Sequence, residues 1–600
     1  MEEQKQSTLL NLVMYPWNLM RSSDNFAGVS LAILVGTIAG FGAVLFRWMI
    51  NGIQWLFFKQ SAQVFDFMGD YYVIILPALG GLIVGPLIYF FAREAKGHGV
   101  PEVMAAVAVK KGRIRPRVAA IKAMASAICI GSGGSVGREG PIVQIGSSFG
   151  SSVGQWFRLP EDWTKTLVAC GAAGGIAATF NAPIAGVFFA QEVILRRFIT
   201  PSFLFVVISA VMANVISQAF LGSNPSFIVP EYALDSAWEI PLYALLGVAA
   251  AFVAWVFIRV LYKCEDLFDA FRFPSYLKPV LGGLLIGLIG FFYPDLFGVG
   301  YGSGYGPGGV YLETVGVDKA LLGEFGIGLL LTLGFLKIVA TSLTIGSGGS
   351  GGIFAPSLFM GSMFGGAFGE FIHQIFPTST TPSGAYAMVG MGAVFAGAAR
   401  APITSIIMLF EMTRDYMIIL PLMTAVVIST LVSRKLSRDS IYTTKTRRQG
   451  IDLRRMEERD VMKTVSVSQA MTRDFPSVPP QMPVADLLKM MERTGHHGFP
   501  VIDEKGHLYG VVTLSDVHAG TEKDDSDVAY LTVEDIATTS PFVAYPDQTL
   551  HQALLRFGTT NFGVPVVDRD DPTKFLGLLR RHDIIRSYIG GTGESLPPRT

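Results

Sequence analysis

Three stretches of this chain stay apolar for about the thickness of a bilayer core: FAGVSLAILVGTIAGFGAVLF (26–46), PSFLFVVISAVMANVISQAF (201–220) and IPLYALLGVAAAFVAWVFI (240–258). Each is near the roughly 20 residues that carry a helix across hydrocarbon. In that solvent every backbone N–H must find a partner inside the protein, so the runs read as membrane helices. Composition agrees. Only 16% of the 600 residues are charged and the mean hydropathy is +0.45, against about 25% charged in a soluble domain. Other apolar runs are shorter and broken by Gly or Pro. The chain opens on the charged MEEQKQ, without the pattern of a cleavable signal peptide. Cys129, Cys170 and Cys264 are far apart and lie in or beside apolar stretches, which predicts free thiols and neither disulfides nor a thiolate metal site.

The apolar runs are interrupted by glycine strips that share one grammar. GREGP (137–141) and GIFAP (352–356) each pair Gly with a Pro four residues on, and GHGVPE (97–102) adds an acidic residue in the first turn. Gly lets a backbone approach closely, and Pro fits the first turn of a helix, where no N–H is needed. Such strips predict three helix starts at membrane depth. The unpaired N–H groups and positive dipole end of each start would form an anion site without a full positive charge. Close helix packing by small residues is the alternative for any single strip.

The strips also repeat. GSGGSVGREGPIVQIGSSFG from Gly131 recurs as GSGGSGGIFAPSLFMGSMFG from Gly346, an offset of 215 residues. NAPIAGVFFAQEV from Asn181 recurs as RAPITSIIMLFEM from Arg400, an offset of 219, which brings Glu192 onto Glu411. Two halves of one ancestral unit are thereby predicted, and repeated halves in transporters surround a shared site near the midplane.

GHGVPE, GREGP, GIFAP and Tyr442 in DSIYTTKT, in that order, resemble the signature set of the CLC family of chloride channels and proton-coupled chloride exchangers, over about 26–445. The resemblance implies an α-helical polytopic membrane protein with two inverted repeats, assembled as a homodimer with one pore per subunit. It implies anion-binding positions at His98, Gly99, Arg138, Glu139, Gly140, Ile353, Phe354, Ala355 and Tyr442. Glu139 matches the gating glutamate, whose carboxylate occupies an anion site when ionised and leaves it when protonated or displaced. Arg138 reads either as a source of local charge or as part of a structural salt bridge.

Two residues depart from the family pattern. Proton-coupled members carry a second glutamate directly after the position of Glu192; here that inner proton-glutamate position is Val193, which favours a channel with no or weak proton coupling. Gln191, Glu192 or a water chain are the remaining routes for a proton. His98 stands where chloride-selective relatives carry serine, which leaves selectivity and pH response open. A neutral imidazole donates one N–H to an anion, and an imidazolium adds charge.

From about residue 462 the pattern changes to short β-branched runs and amphipathic helices, and it repeats: 475–517 aligns with 541–584. Each copy reads strand, helix, a G-x-P-V strand, a turn, a further strand and a helix opening on Asp. This resembles a tandem pair of CBS domains, an α/β regulatory module that often binds adenine nucleotides. Thr513 and Asp516 match the ribose and phosphate positions. The second copy keeps Asp583 but has Arg580 in place of the hydroxyl. Capping of helix N-termini is the alternative role of these acids.

The expected organisation is an N-terminal cytoplasmic segment (1–25), a transmembrane anion-pathway domain (26–445), a linker (446–461), a CBS pair (462–589) and a tail (590–600). Basic clusters at 110–117, 196–197 and 434–448 mark cytoplasmic loops by the positive-inside rule, which puts the CBS pair in the cytoplasm and the protein in the cell membrane. Chloride or another small monovalent anion, the lipid bilayer and a second copy are the expected partners, and nucleic acid is not. No cofactor or metal is required, an adenine nucleotide at the CBS pair aside. The G-x-G-x-x-G inside 346–352 lacks a preceding strand, and His98 and His373 are too distant for H-E-x-x-H. With no P-loop lysine motif either, an enzyme or an ATP-driven pump is not expected. Anion conduction is the leading reading, and secondary anion/proton exchange the alternative.

Overall fold

A computed structural model describes residues 24–197, 202–223, 226–227, 229–230, 232, 236–302, 304–305, 309–312, 315–453, 462, 465–523, 531–556 and 562–592. The chain divides into two compact units, 1–451 and 452–600. Most of the expected tail (590–600) and of the N-terminal segment, and residues 454–461 of the linker, lie outside the described residues.

The first unit is helical. The apolar runs become α1 (Asp24–Gln54), α8 (Phe203–Leu221) and α9 (Ile240–Ala270). Among the described residues five helical segments are long and apolar enough to cross a membrane, and a bent pair ending in α2 (Leu76–Phe91) would make a sixth. Between them run α3 (Val100–Val109), α4 (Arg117–Gly131), α5 (Glu139–Trp156), α6 (Glu161–Phe180) and α7 (Pro183–Phe189), the last prolonged by a π-helical turn, Ala190–Leu195. After α10 (Lys278–Phe292) the second half answers with α11 (Ile327–Gly346), α12 (Phe354–Ile375), α13 (Ser383–Ala399) and α14 (Pro402–Thr413), and closes with α15 (Ile419–Leu436) and α16 (Ile441–Arg448).

The repeat is visible as geometry. Helices α5 and α6 cross where Gly146 faces Gly171: a Cβ on either would lie 2.1 or 2.0 Å from the other's carbonyl oxygen. The equivalent crossing of α12 and α13 puts Gly361 against Gly390, at 2.3 Å in both directions. Small residues let these backbones touch, which is how helices pack where lipid is as apolar as the side chains.

The halves are related by a local two-fold. Gly137 and Gly352, equivalent at the 215-residue offset, form an antiparallel bridge: Gly137 N donates to Gly352 O at 2.8 Å and Gly352 N to Gly137 O at 2.5 Å. Only a two-fold lets equivalent residues exchange identical bonds. The glutamates repeat the exchange. Glu192 accepts from Ile403 N and Thr404 N (3.3 and 2.8 Å) at the start of α14, and Glu411 accepts from Ile184 N and Ala185 N (3.1 and 2.7 Å) at the start of α7. Each half thus caps the orphan N–H groups of the other.

Besides its helices the first unit holds a short antiparallel strand pair, β1 (Gly304–Tyr305) with β2 (Tyr311–Leu312), and in the second unit the two copies each hold one, β3 (Gly498–Ile502) with β4 (Leu508–Thr513) and β5 (Val564–Val567) with β6 (Phe575–Leu579). Helix α17 (Val484–Thr494) buries Val484, Leu487 and Met491 against the first pair. Here too the copies trade segments. Thr472, ahead of the first copy, bridges to Leu578 in β6, and Thr538, ahead of the second, bridges to Val511 in β4.

Candidate functional site

The three glycine strips meet. Gly97 N donates to Gly349 O (3.1 Å) and Gly351 N to Gly97 O (3.3 Å), while the Gly137–Gly352 bridge joins the other two. Gly140 lies at the junction: a Cβ there would sit 2.1 Å from His98 O and 3.0 Å from Gly352 Cα. The expected helix starts are all present, with α3, α5 and α12 beginning at Val100, Glu139 and Phe354. The narrow space between them is lined by His98, Glu139, Gly140, Ile353, Phe354 and Tyr442, together with Val100, Val143, Ile176 and Phe189.

Glu139 is buried, and its carboxylate lies across this space. Its Oε2 accepts from Ala355 N, in the first turn of α12, at 3.3 Å, and its Oε1 accepts from the Tyr301 hydroxyl at 3.1 Å. The carboxylate therefore occupies the N-terminal end of the other half's helix, where an anion is favoured by unpaired N–H groups and the helix dipole. Tyr442 follows the Ser440 cap of α16 and is buried, with its ring 5.9 Å from that of His98. His98 is 1% exposed, and neither ring nitrogen has a hydrogen-bond partner among the described residues.

The remaining expected positions play other parts. Gly99 is the left-handed residue that starts α3, with φ of +83°. Arg138 forms no ion pair among the described residues, and its charge acts on the Glu139 carboxylate beside it. Its guanidinium lies over the Tyr301 ring, 5.4 Å from the centroid. Val193 is buried on the π-helical turn. Of the other proton routes, Glu192 is occupied as a cap, with Thr404 Oγ1 also donating to it at 2.7 Å. Gln191 is wholly buried and neither amide atom has a partner among the described residues.

Sequence reasoning missed Tyr301 and two buried lysines. Lys122 on α4 donates to Ala95 O and Gly97 O (3.0 and 2.7 Å), and Lys337 on α11 donates to Leu296 O and Gly298 O, both at 3.3 Å. They stand 215 residues apart, and each holds a Gly-x-Gly strip, 97–99 or 298–300. A lysine in the same place of both apolar repeats was the available signal. Near the first strip a charged vestibule carries Lys445, 3.7 Å from Glu102 and 3.9 Å from Glu265.

The voltage gated chloride channel family matches residues 80–434. The chain belongs to this family, the CLC proteins. CBS domains match 467–519 and 533–590. The H(+)/Cl(-) exchange transporter ClcA of Vibrio parahaemolyticus is 34% identical over 442 residues, 70% of this chain and 90% of its own length. The putative chloride channel protein ClcB-like of Ralstonia nicotianae is 30% identical over 424 residues, 69% and 95% of the two lengths. The crystal structure of a slow cyanobacterial Cl-/H+ antiporter is similar at a TM-score of 0.62 and 29% identity, covering 70% of this chain and 97% of its own. That of a eukaryotic CLC transporter covers 93% and 97% at a TM-score of 0.58; at 21% identity that likeness concerns the fold alone. This CLC protein is thus a membrane-spanning anion transport protein with a CBS pair, and its named relatives are transporters and channels.

In the CBS pair, Thr513 N and Oγ1 both donate to Asp516 Oδ2, at 2.7 and 2.6 Å. Asp583 is enclosed by its own neighbours: Arg580 Nε donates to Oδ2 at 2.9 Å, and Arg580 also bonds Thr472 Oγ1 at 3.0 Å. The two copies therefore differ at this position, with a hydroxyl at one and a closed ion pair at the other.

Proposed function

We propose that this CLC protein exchanges chloride, or a similar small monovalent anion, for protons along a pathway in which Glu139 is both plug and proton carrier. The observation that carries the reading is the seat of the Glu139 carboxylate on Ala355 N–H, at the mouth of α12. An anion and this carboxylate compete for the same donors, so the ion advances when the side chain leaves, and a protonated side chain leaves most readily. The exchange transporter named among the relatives and the antiporter at 29% identity support coupling over passive flow.

Passive conduction is the second reading, favoured by Val193 and by the capped state of Glu192. A coupled protein without that inner carboxylate would pass its proton along buried polar groups, and Gln191 is the nearest in sequence. The full-length protein in sealed liposomes separates the two. An imposed chloride gradient should drive sustained uphill proton movement, and chloride flux with no proton movement would establish conduction instead.

A homodimer with a separate pathway in each subunit is the assembly the CLC resemblance implies, and subunit counting of single-molecule currents or cross-linking would test it. The CBS pair would face the cytoplasm and take an adenine nucleotide at Thr513 and Asp516, the copy without the Arg580 closure. Titration of AMP and ATP into the detergent-purified chain should give binding that Asp516→Ala weakens.

A further inference from the structure

The two donors that hold Glu139 differ in kind. Ala355 N–H is backbone and would serve any anion, whereas the Tyr301 hydroxyl is a side chain brought in from GVGYGSG (298–304), a strip that does not line the space. Its placement is built. Gly300 and Gly302, at φ of +86° and +76°, turn the chain on either side of it. Asp318 Oδ2 accepts from Gly302 N at 2.7 Å and Gly300 O accepts from Val317 N at 3.2 Å. Phe227 meets the ring edge-on at 5.1 Å, and the Arg138 guanidinium covers it. Among the described residues the phenol's hydroxyl bonds one ionisable group, the carboxylate of Glu139.

We propose that Tyr301 is a positioning residue, a latch that holds the Glu139 carboxylate in the anion pathway through its hydroxyl. The inference rests on the reading of Glu139 as the gate. A hydroxyl donating to an ionised carboxylate makes a strong, charge-assisted bond, and the cation over the ring polarises the phenol toward donation. The bond favours the seated, ionised carboxylate over the protonated, departed one, so its loss shifts opening to higher pH. The charged and titratable groups that interact with the pair are Arg138 about both, Arg47 about Tyr301, and Lys337 and Tyr442 about Glu139. Tyr301→Phe alters none of them.

Chloride efflux from liposomes holding the full-length chain, measured across pH, tests the latch with Tyr301→Phe, Glu139→Gln and the double variant. Tyr301→Phe should raise efflux at neutral pH about tenfold, the loss of one hydrogen bond to a charged group, and move the pH of half-activation up by about one unit. The double variant should match Glu139→Gln. If Glu139→Gln opens the pathway while Tyr301→Phe leaves the pH profile in place, or if Tyr301→Phe acts equally in the Glu139→Gln background, the latch is wrong and the gate stands. If Glu139→Gln changes neither flux nor pH profile, gate and latch both fall.

Discussion

The two halves of the membrane unit are alike in frame and unlike at the centre. Gly146 with Gly171 and Gly361 with Gly390 make the same crossing, Lys122 and Lys337 hold corresponding strips, and Glu192 and Glu411 exchange the same caps. At the pathway the symmetry stops. The residue equivalent to Glu139 is Phe354, and in the Gly-x-Gly strips His98 answers to Val299 and Val100 to Tyr301. One half supplies the titratable group and the helix end of the other receives it. Duplicated scaffold fixes where N–H groups converge; what moves there depends on the few positions at which the copies have diverged.

The frame should fail equally from either side. Gly171→Val and Gly390→Val each force a side chain against backbone, an overpacking cost of about 3 kcal/mol or more, read as lost thermal stability and monodispersity in detergent. Tolerance of one alone would mean that the crossings are not equivalent. The centre should respond unequally. Glu139→Gln removes the titrating plug and should raise anion flux several-fold while flattening its pH dependence, whereas Phe354→Leu should change the rate and leave the pH profile as it was. A flattened profile in Phe354→Leu would break the asymmetry.

The caps come next. Glu192→Gln and Glu411→Gln keep the shape but lose the charge and one of the two acceptor oxygens, and each should cost about 1 kcal/mol of stability, the usual worth of a helix cap. If Glu192→Gln alone also abolishes proton coupling in the liposome assay, Glu192 is a proton route as well as a cap. The smallest effect is expected at His98. With Glu139→Gln as background, His98→Ser should shift the chloride-to-nitrate permeability ratio by a few-fold and remove the residual pH dependence, and an unchanged ratio would make His98 a packing residue.

The helix starts at Val100, Glu139 and Phe354 were legible because glycine and proline have position-specific backbone meaning, and the repeat was legible because both copies kept it. Tyr301 was not. Its strip has no proline, and it lies 201 residues from GHG where the other elements lie 215 or 219 apart, so alignment by repeat passes over it. That Glu192 and Glu411 pair would be seen from sequence, but not that each caps the opposite half, since an offset says nothing about which partner a side chain reaches. Arg138 was half legible, with local charge one of its two readings and an ion pair the other. A cation beside a carboxylate suggests an ion pair, and only the fold supplies the aromatic face that it covers instead.

The Gly137–Gly352 bridge also bears on how the protein is made. Its two hydrogen bonds join residues 215 positions apart, so the first half enters the membrane with the N–H and C=O of Gly137 unpaired, in a solvent where each such group costs several kcal/mol. The anion site is therefore a late product of biogenesis: it closes only once the ribosome has delivered the second repeat, and until then the first depends on water or insertion machinery to cover its broken helices. Two half-length chains, split within the connection between α8 and α9 and synthesised together, should find each other through the same bonds, whereas either half alone should be degraded.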